Sequence, residues 1–579
     1  MSNPEKVEMG SETRYAPATA AAEVQHVDQI DEVGEDDSPP IQWRTWLAIV
    51  ALCFMFNCGL SMYILTSSIQ GYINEAIGPD PDFAWISSGK TVATAAVGVL
   101  AGTISDLFGR RIIIIGGSIL GLIGCIVGAT AQSVGQVVGA MVIMGAVSGA
   151  GYNSMACACE LVSKKQRGMV LGIVSFSSLP FTCFGTLISN GMVESAVGWR
   201  GVFYLGIALC SVSTVMNYFF YQPAVALAAH GRTRRQILSD FDYIGFFAVC
   251  AGPSLFLIGI IWAGGRYKFS SPQVLGTFIS GIVICIALGF YEVYFAKHPI
   301  LHPQLFKRVR TYTLLLVCIF TGGTVFYSMT AIFPLYLRLV FVGNDPMQIG
   351  IYGLPMGITT AVGGLVVGVV APIVGHTRLI LTAGVCVQVL SIGLLAYPNP
   401  SQIALPLVLT GIGGLTIGWI QILCNLLVQL AMPDELIGFA TGIGASIRLL
   451  GGSVGIAVYS TIYRTQATEI VPGRVGAAAL ATGLPQTAVS DFITTFLTQP
   501  GELANVSGVT PEIIAAAANT AKQAYCDAFK PVWYTAVGIG STAILAAIFT
   551  KDMSNEFTNE VTQTLLTKKD SPDVESKVV

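Results

Sequence analysis

The sequence predicts an all-helical polytopic membrane protein of about fourteen spans. Three observations carry that expectation. Of 579 residues, 53% are hydrophobic and 11% charged, with a mean hydropathy of +0.68; a soluble globular chain is about one quarter charged. Apolar runs close to 20 residues recur along most of the chain, the helical length that crosses about 30 Å of hydrocarbon. The alternating ten-residue pattern of a membrane barrel is missing, so backbone groups in lipid must be satisfied within helices.

In chain order, residues 1–42 read as a disordered cytoplasmic tail, with Glu32, Glu35, Asp36 and Asp37 close together. The tail is acidic and has no early apolar core, unlike a cleavable signal peptide. Spans follow at 43–65, 83–104, 112–130, 136–161, 168–192 and 200–221, a six-helix bundle. A cytoplasmic loop, 222–242, leads to two further spans at 243–263 and 274–296. A second six-helix bundle occupies 311–550, with spans at 311–339, 348–372, 379–397, 403–431, 438–463 and 532–550. Its long outer loop, 464–530, is rich in Ala, Thr, Pro and Gly, and its 511–521 stretch suits a short amphipathic helix. A polar tail, 551–579, ends the chain. Trp43, Trp46, Trp85, Trp199, Trp262 and Trp533 lie near span ends, as an interfacial aromatic belt requires.

Lysine and arginine set the orientation. Alternate loops carry Arg110 and Arg111; Lys164, Lys165 and Arg167; Arg232, Arg234 and Arg235; Lys297, Lys307, Arg308 and Arg310; and Arg378. These loops are expected in the cytoplasm, with both termini on that side, in the plasma membrane or alternatively the vacuolar membrane. The sequon Asn505-Val506-Ser507 then falls in the outer loop, where Asn505 is a glycosylation candidate.

Several function classes are not supported. The net charge of −3 gives no reason to expect nucleic acid as a partner. Most of the 13 cysteines sit inside apolar runs as small hydrophobes, and Cys526 alone in a polar loop makes no disulfide framework. The five histidines lie in the tail or near helix ends, without metal spacing. The stretch Ala84 to Thr91 fits a relaxed phosphate-loop pattern, but it opens a membrane span instead of following a strand. No nucleophile–base pair, metal cluster or cofactor loop suggests an enzyme, and no cofactor is expected.

The most informative stretch is the polar hinge from Gly102 to Arg111, set between two apolar runs. It has an echo. Gly102, Asp106 and Gly109 share their spacing with Gly368, Pro372 and Gly375, an offset of 266 residues. Gly168 and Gly172 likewise match Gly438 and Gly442 at an offset of 270. Span 2 would then correspond to span 10, and span 5 to span 13. The implied unit is six helices, repeated, with spans 7 and 8 inserted between the copies.

Gly102-x-x-x-Asp106-x-x-Gly109-Arg110-Arg111 resembles the signature loop of the major facilitator superfamily. The span count resembles its fungal drug:proton antiporter branch. Further features resemble the trichothecene efflux pump and siderophore transporter group: Gly121 to Gln132, Glu160-Leu161 with Arg167-Gly168, Trp199-Arg200, Asp242 to Gly245, Gly264-Gly265 with Tyr267, and Arg448-x-x-Gly451-Gly452-Ser453. The resemblance covers Trp43 to Thr550 and implies the major facilitator fold and alternating access. Two positions depart from the branch pattern. Met141 stands where an arginine precedes the glycine of the fourth helix, here Gly145, and Pro180 follows Leu179 instead of a glycine.

Candidate residues fall into two groups. Gly102, Asp106, Gly109, Arg110, Arg111, Glu160 and Arg167 form the expected conformational latch, with Asp106 pairing Arg110 or a helix N-terminus and Glu160 near Arg167. Substrate or coupling candidates are Arg448, Lys90 and Glu292 among charges, and Asn57, Asn153, Gln421, Asn425 and Tyr327 among polar and aromatic residues. Charges at membrane depth need a cavity or a partner; for each amide, interhelical packing stays an open alternative. Gln421 and Asn425 are one turn apart on one helical face. The expected function is secondary active export of a small organic compound, a secondary metabolite, toxin or drug, driven by the proton gradient and carried out by a monomer. Uptake of a siderophore or sugar, and nutrient sensing on a transporter-like fold, are the alternatives.

Overall fold

The computed structural model describes residues 41–223, 242–296, 306–433 and 436–559, except 79, 81–82, 84, 265–266, 268–269, 344, 398–399, 499–502, 504–505 and 507. The acidic tail, most of the 222–242 loop, the sequon asparagine Asn505 and the side chain of Asp106 lie outside the described residues.

The chain is a helical bundle. Its first half comprises α1 (Trp43–Ile77), α2 (Trp85–Phe108), α3 (Arg110–Ala129), α4 (Val134–Glu160), α5 (Arg167–Phe176), α6 (Leu179–Glu194) and α7 (Gly201–Phe220). Two inserted helices follow, α8 (Tyr243–Gly264) and α9 (Pro272–Tyr294). The second half comprises α10 (Leu314–Tyr336), α11 (Pro346–Val374), α12 (Thr377–Gly393), α13 (Ala404–Leu430), α14 (Ile437–Ala481), the short α15 (Val489–Thr498) and α16 (Pro511–Phe549).

Among the described residues, 13 helices are long and apolar enough to cross a membrane, counting α5 and α6 together. The expected second span is α2, a continuous helix of 24 residues. Its described part, with Ser87, Ser88, Lys90, Thr91 and Thr94, is the more polar wall of the bundle. The fifth span breaks at Ser177 and Ser178, and Pro180 occupies the first turn of α6, where a missing N–H costs no hydrogen bond.

Local chemistry sets the helix starts. Ser271, Asp345 and Thr510 each cap a helix whose first turn carries a proline, and each side chain accepts a backbone N–H two or three residues on. The turn between α2 and α3 runs through Gly109 at φ 104°, and that between α11 and α12 through Gly375 at φ 63°. Both conformations suit glycine and strain other residues, so the two copies of the hinge share a positive-φ glycine as well as their spacing, and the second copy adds His376 at φ 50°. The end of the bundle that carries these turns is the hinge side.

One expectation changes. The 464–530 segment is largely helical instead of an irregular loop with one short helix: α14 continues to Ala481, and α16 already begins at Pro511. Its alanine content favours helix over coil. A local core of Val475, Ala479, Phe492, Ile513 and Ala517 holds these extensions together. Arg474 and Lys530 both reach Asp527, at 2.5 and 2.7 Å. At the hinge side, the segment after α16 lies across the bundle. The Lys551 amide donates to the Arg310 carbonyl at 2.9 Å, and the Lys165 amide donates to the Thr558 carbonyl at 3.1 Å. This segment therefore touches both halves.

Candidate substrate cavity

The two halves meet along two seams. In one, α2 packs on α14: a Cβ on Gly102 would strike the carbonyl oxygen of Gly438, and a Cβ on Gly442 would meet the carbonyl oxygen of Gly98. In the other, α5 packs on α11: Gly168 and Gly368 each face the other's carbonyl oxygen, and Gly172 lies on the backbone of Leu365. Small residues allow this backbone approach in a bundle without a water-driven core. The repeat relates α2 to α11 and α5 to α14, so the seams are equivalent under one two-fold relation. Ser446 of α14 adds a hydrogen bond across the first seam, donating to the Ala95 carbonyl at 2.8 Å.

Between the seams lies a cavity of about 230 Å³. Its wall includes Phe56, Tyr63, Phe326, Tyr327 and Phe333, with Ser175, Ser178, Thr182 and Thr360 as the smaller polar members. Most of these residues sit in the middle of their helices or in the part away from the hinge side, which the glycine seams close. The floor is shared by Tyr152 of α4, Gln421 of α13 and Arg448 of α14. Beneath it is a void of about 20 Å³, bordered also by Asn425 and Thr441, large enough for one water molecule.

Arg448 is 8% exposed. Its guanidinium lies over the Phe326 ring, 4.9 Å from the centroid. Its own backbone presses on Gly323 of α10, where a Cβ would overlap the Arg448 carbonyl oxygen. Lys90 of α2, 6% exposed, sets its ammonium 5.0 Å from the centroid of Tyr63, a ring that lines the cavity. Such ring-face contacts are favourable by about 0.5–2 kcal/mol. Among the described residues that line the cavity and the void there is no aspartate or glutamate.

The remaining candidates are sorted by where they lie. Tyr327 and Gln421 line the cavity, and Asn425 borders the void. Asn57 and Asn153 are among the residues lining neither space. Asn57 Nδ2 donates to the Cys53 carbonyl at 2.9 Å and to Ser177 Oγ at 2.8 Å, tying α1 to the break between α5 and α6. Asn153 Nδ2 donates to Ser105 Oγ at 2.6 Å, tying α4 to α2. Both amides serve packing within one half. Glu292 is buried on α9, and a Cβ on Gly245 would meet both Glu292 and Asp242. It therefore belongs to the inserted helix pair. Tyr152 was not singled out from the sequence, although its place in the middle of an apolar span beside Asn153 was the available signal.

Glu160 makes a different pair from the expected one. Arg110, at the start of α3, donates Nε to Glu160 Oε2 at 2.7 Å and Nη2 to Glu160 Oε1 at the end of α4. Both are buried, at 5% and 0% exposure. The sequence paired Glu160 with Arg167; the structure shows the planar Arg110 fork on its two oxygens, because α3 and α4 are antiparallel neighbours whose hinge-side ends coincide. This pair braces one half internally. Arg111 donates to the Tyr218 carbonyl at 3.0 Å and covers the Tyr218 ring at 5.5 Å, fixing α3 on α7. Arg167 is buried at the start of α5. The expected contacts of the Asp106 carboxylate lie outside the described residues.

Two helical halves joined by equivalent glycine seams around a central cavity define a transporter of the major facilitator fold. The chain matches the fungal trichothecene efflux pump (TRI12) family over residues 37–576 and belongs to that family. It is 26% identical over 527 residues to the trichothecene efflux pump TRI12 of Fusarium sporotrichioides, covering 90% of this chain and 88% of that one. It is 28% identical over 524 residues to the TRI12 pump of Trichoderma arundinaceum, covering 86% and 85%. Among solved structures it is similar in fold to the major facilitator superfamily proton:xylose symporter XylE, with a TM-score of 0.51 at 13% identity, covering 90% of this chain and 98% of that one.

Proposed function

We propose that this chain exports a small organic compound across the plasma membrane as a monomeric secondary active transporter working by alternating access. The observation that carries the reading is the cavity between the halves, closed at the hinge side by the paired glycine seams. Backbone surfaces that fit this closely without side chains can separate and re-form as units, which is what rocking of one half against the other requires. The lysine and arginine bias of the hinge-side loops supports a cytoplasmic hinge side, so this conformation corresponds to the outward-facing state, with Asp106 among the hinge groups that would hold it closed. The relatives named above, which are efflux pumps, support export as the direction. The energy source is the proton electrochemical gradient. Its electrical part acts on any charged cargo with about 2.3 kcal/mol per elementary charge per 100 mV.

Deleting the gene and following cellular accumulation of secondary metabolites and drugs tests this reading. Export predicts higher accumulation in the deletant and the same rise in intact cells when a protonophore collapses the gradient. Lower accumulation in the deletant would show uptake and overturn it.

A further inference from the structure

The cavity carries a charge pattern that bears on the class of cargo. Arg448 stands at the floor, over Phe326, with no carboxylate among the described residues paired to it. Lys90 stands behind Tyr63 on another wall, with that ring as its described partner. The phenols of Tyr63, Tyr152 and Tyr327 also stand on the lining, and no aspartate or glutamate does among the described residues. An isolated arginine at membrane depth is costly, and a ring face returns only part of that cost. Structural arginines in such places are held by a carboxylate or a set of backbone carbonyls; this one faces an empty space with amide and phenol neighbours. The field inside the cavity is positive and weakly screened, because its walls are mostly apolar.

We propose that the cargo is an amphipathic organic anion. Its acidic oxygens seat on the Arg448 guanidinium between Tyr152, Gln421 and Tyr327, and its apolar body lies along Phe56, Phe326 and Phe333. The inference rests on the exporter reading for the word cargo, while the site itself is read by binding alone. An anion leaving a cell that is negative inside also gains from the electrical part of the proton gradient.

The test uses the full chain in lipid nanodiscs and a matched pair of probes, radiolabelled 1-naphthalenesulfonate and the neutral 1-naphthalenesulfonamide. The sulfonate should bind at least tenfold more tightly than the sulfonamide. Arg448→Met should abolish that preference while leaving the sulfonamide unchanged, and Arg448→Lys should retain most of it. Equal binding of the two probes, or no binding of either, overturns the proposal, and neither result depends on a variant folding. An unchanged preference in Arg448→Met overturns it as well. The two readings fail separately. Sulfonate binding with no accumulation change on gene deletion defeats the exporter, and altered accumulation of neutral compounds with no sulfonate preference defeats the anion.

Discussion

The backbone of Gly102 lies against the carbonyl oxygen of Gly438 so closely that a single methyl group on Gly102 would overlap it. Gly168 and Gly368 repeat the relationship on the other seam. In both, the neighbouring atom is backbone and cannot turn aside as a side chain could. Closure of the hinge side therefore depends on the absence of a Cβ at Gly102, Gly168 and Gly368.

Alanine at Gly102 or Gly368 should hold the halves apart at the hinge side. Export should fall at least tenfold with insertion intact, and hydrogen exchange should rise in 98–108 and 438–446. Alanine at Gly116 or Gly139, where nothing lies within 4 Å of the added carbon, should change neither. Normal export by Gly102→Ala would show that this closed arrangement is not part of the cycle.

The Arg110–Glu160 pair should behave as a buried brace. Arg110→Ala leaves the buried Glu160 carboxylate without its ion-pair partner and should destabilise the protein by about 3–5 kcal/mol, and Glu160→Ala should also be destabilising. Replacing both with methionine should restore most of that loss. Unfolding of the purified variants in detergent measures the cycle. Single losses no larger than those of the double variant would rule out a direct pairing.

The amides should separate by readout. Asn153→Ala leaves Ser105 without its partner and should cost about 1–3 kcal/mol of stability, with transport per folded molecule retained. Gln421→Ala and Tyr152→Phe should leave thermal stability within about 0.5 kcal/mol, the usual range for changes outside a packed core, while raising the half-saturating cargo concentration severalfold. Parallel stability curves and transport titrations distinguish the groups. Gln421→Ala that loses stability and keeps its affinity would move that residue into the packing set.

Part of the site was legible because charge is a rare signal in an apolar span. Arg448 and Lys90 stood out by cost, and each does lie at the cavity or directly behind its wall. The amides were less legible. Helices buried among helices and lipid are apolar on every face, so periodicity gives Asn57 or Asn153 no direction. Their spacing fits a cavity and a packing contact equally well. Glu160 shows the same limit, since nearness in sequence pointed to Arg167 while the antiparallel pairing of α3 and α4 brought up Arg110.

By itself the sequence determined the helical membrane fold, the twice-repeated six-helix unit and the glycine turn at Gly109, because hydrocarbon thickness and positive φ each admit few residue patterns. It also marked the four repeated glycines. Only the tertiary structure decided that they meet crosswise, Gly102 on Gly438 and Gly168 on Gly368, because a repeat in one dimension does not say which faces its copies present. That contact places Arg448 and Lys90 around one space without a carboxylate, a property of the packed halves that neither half has alone.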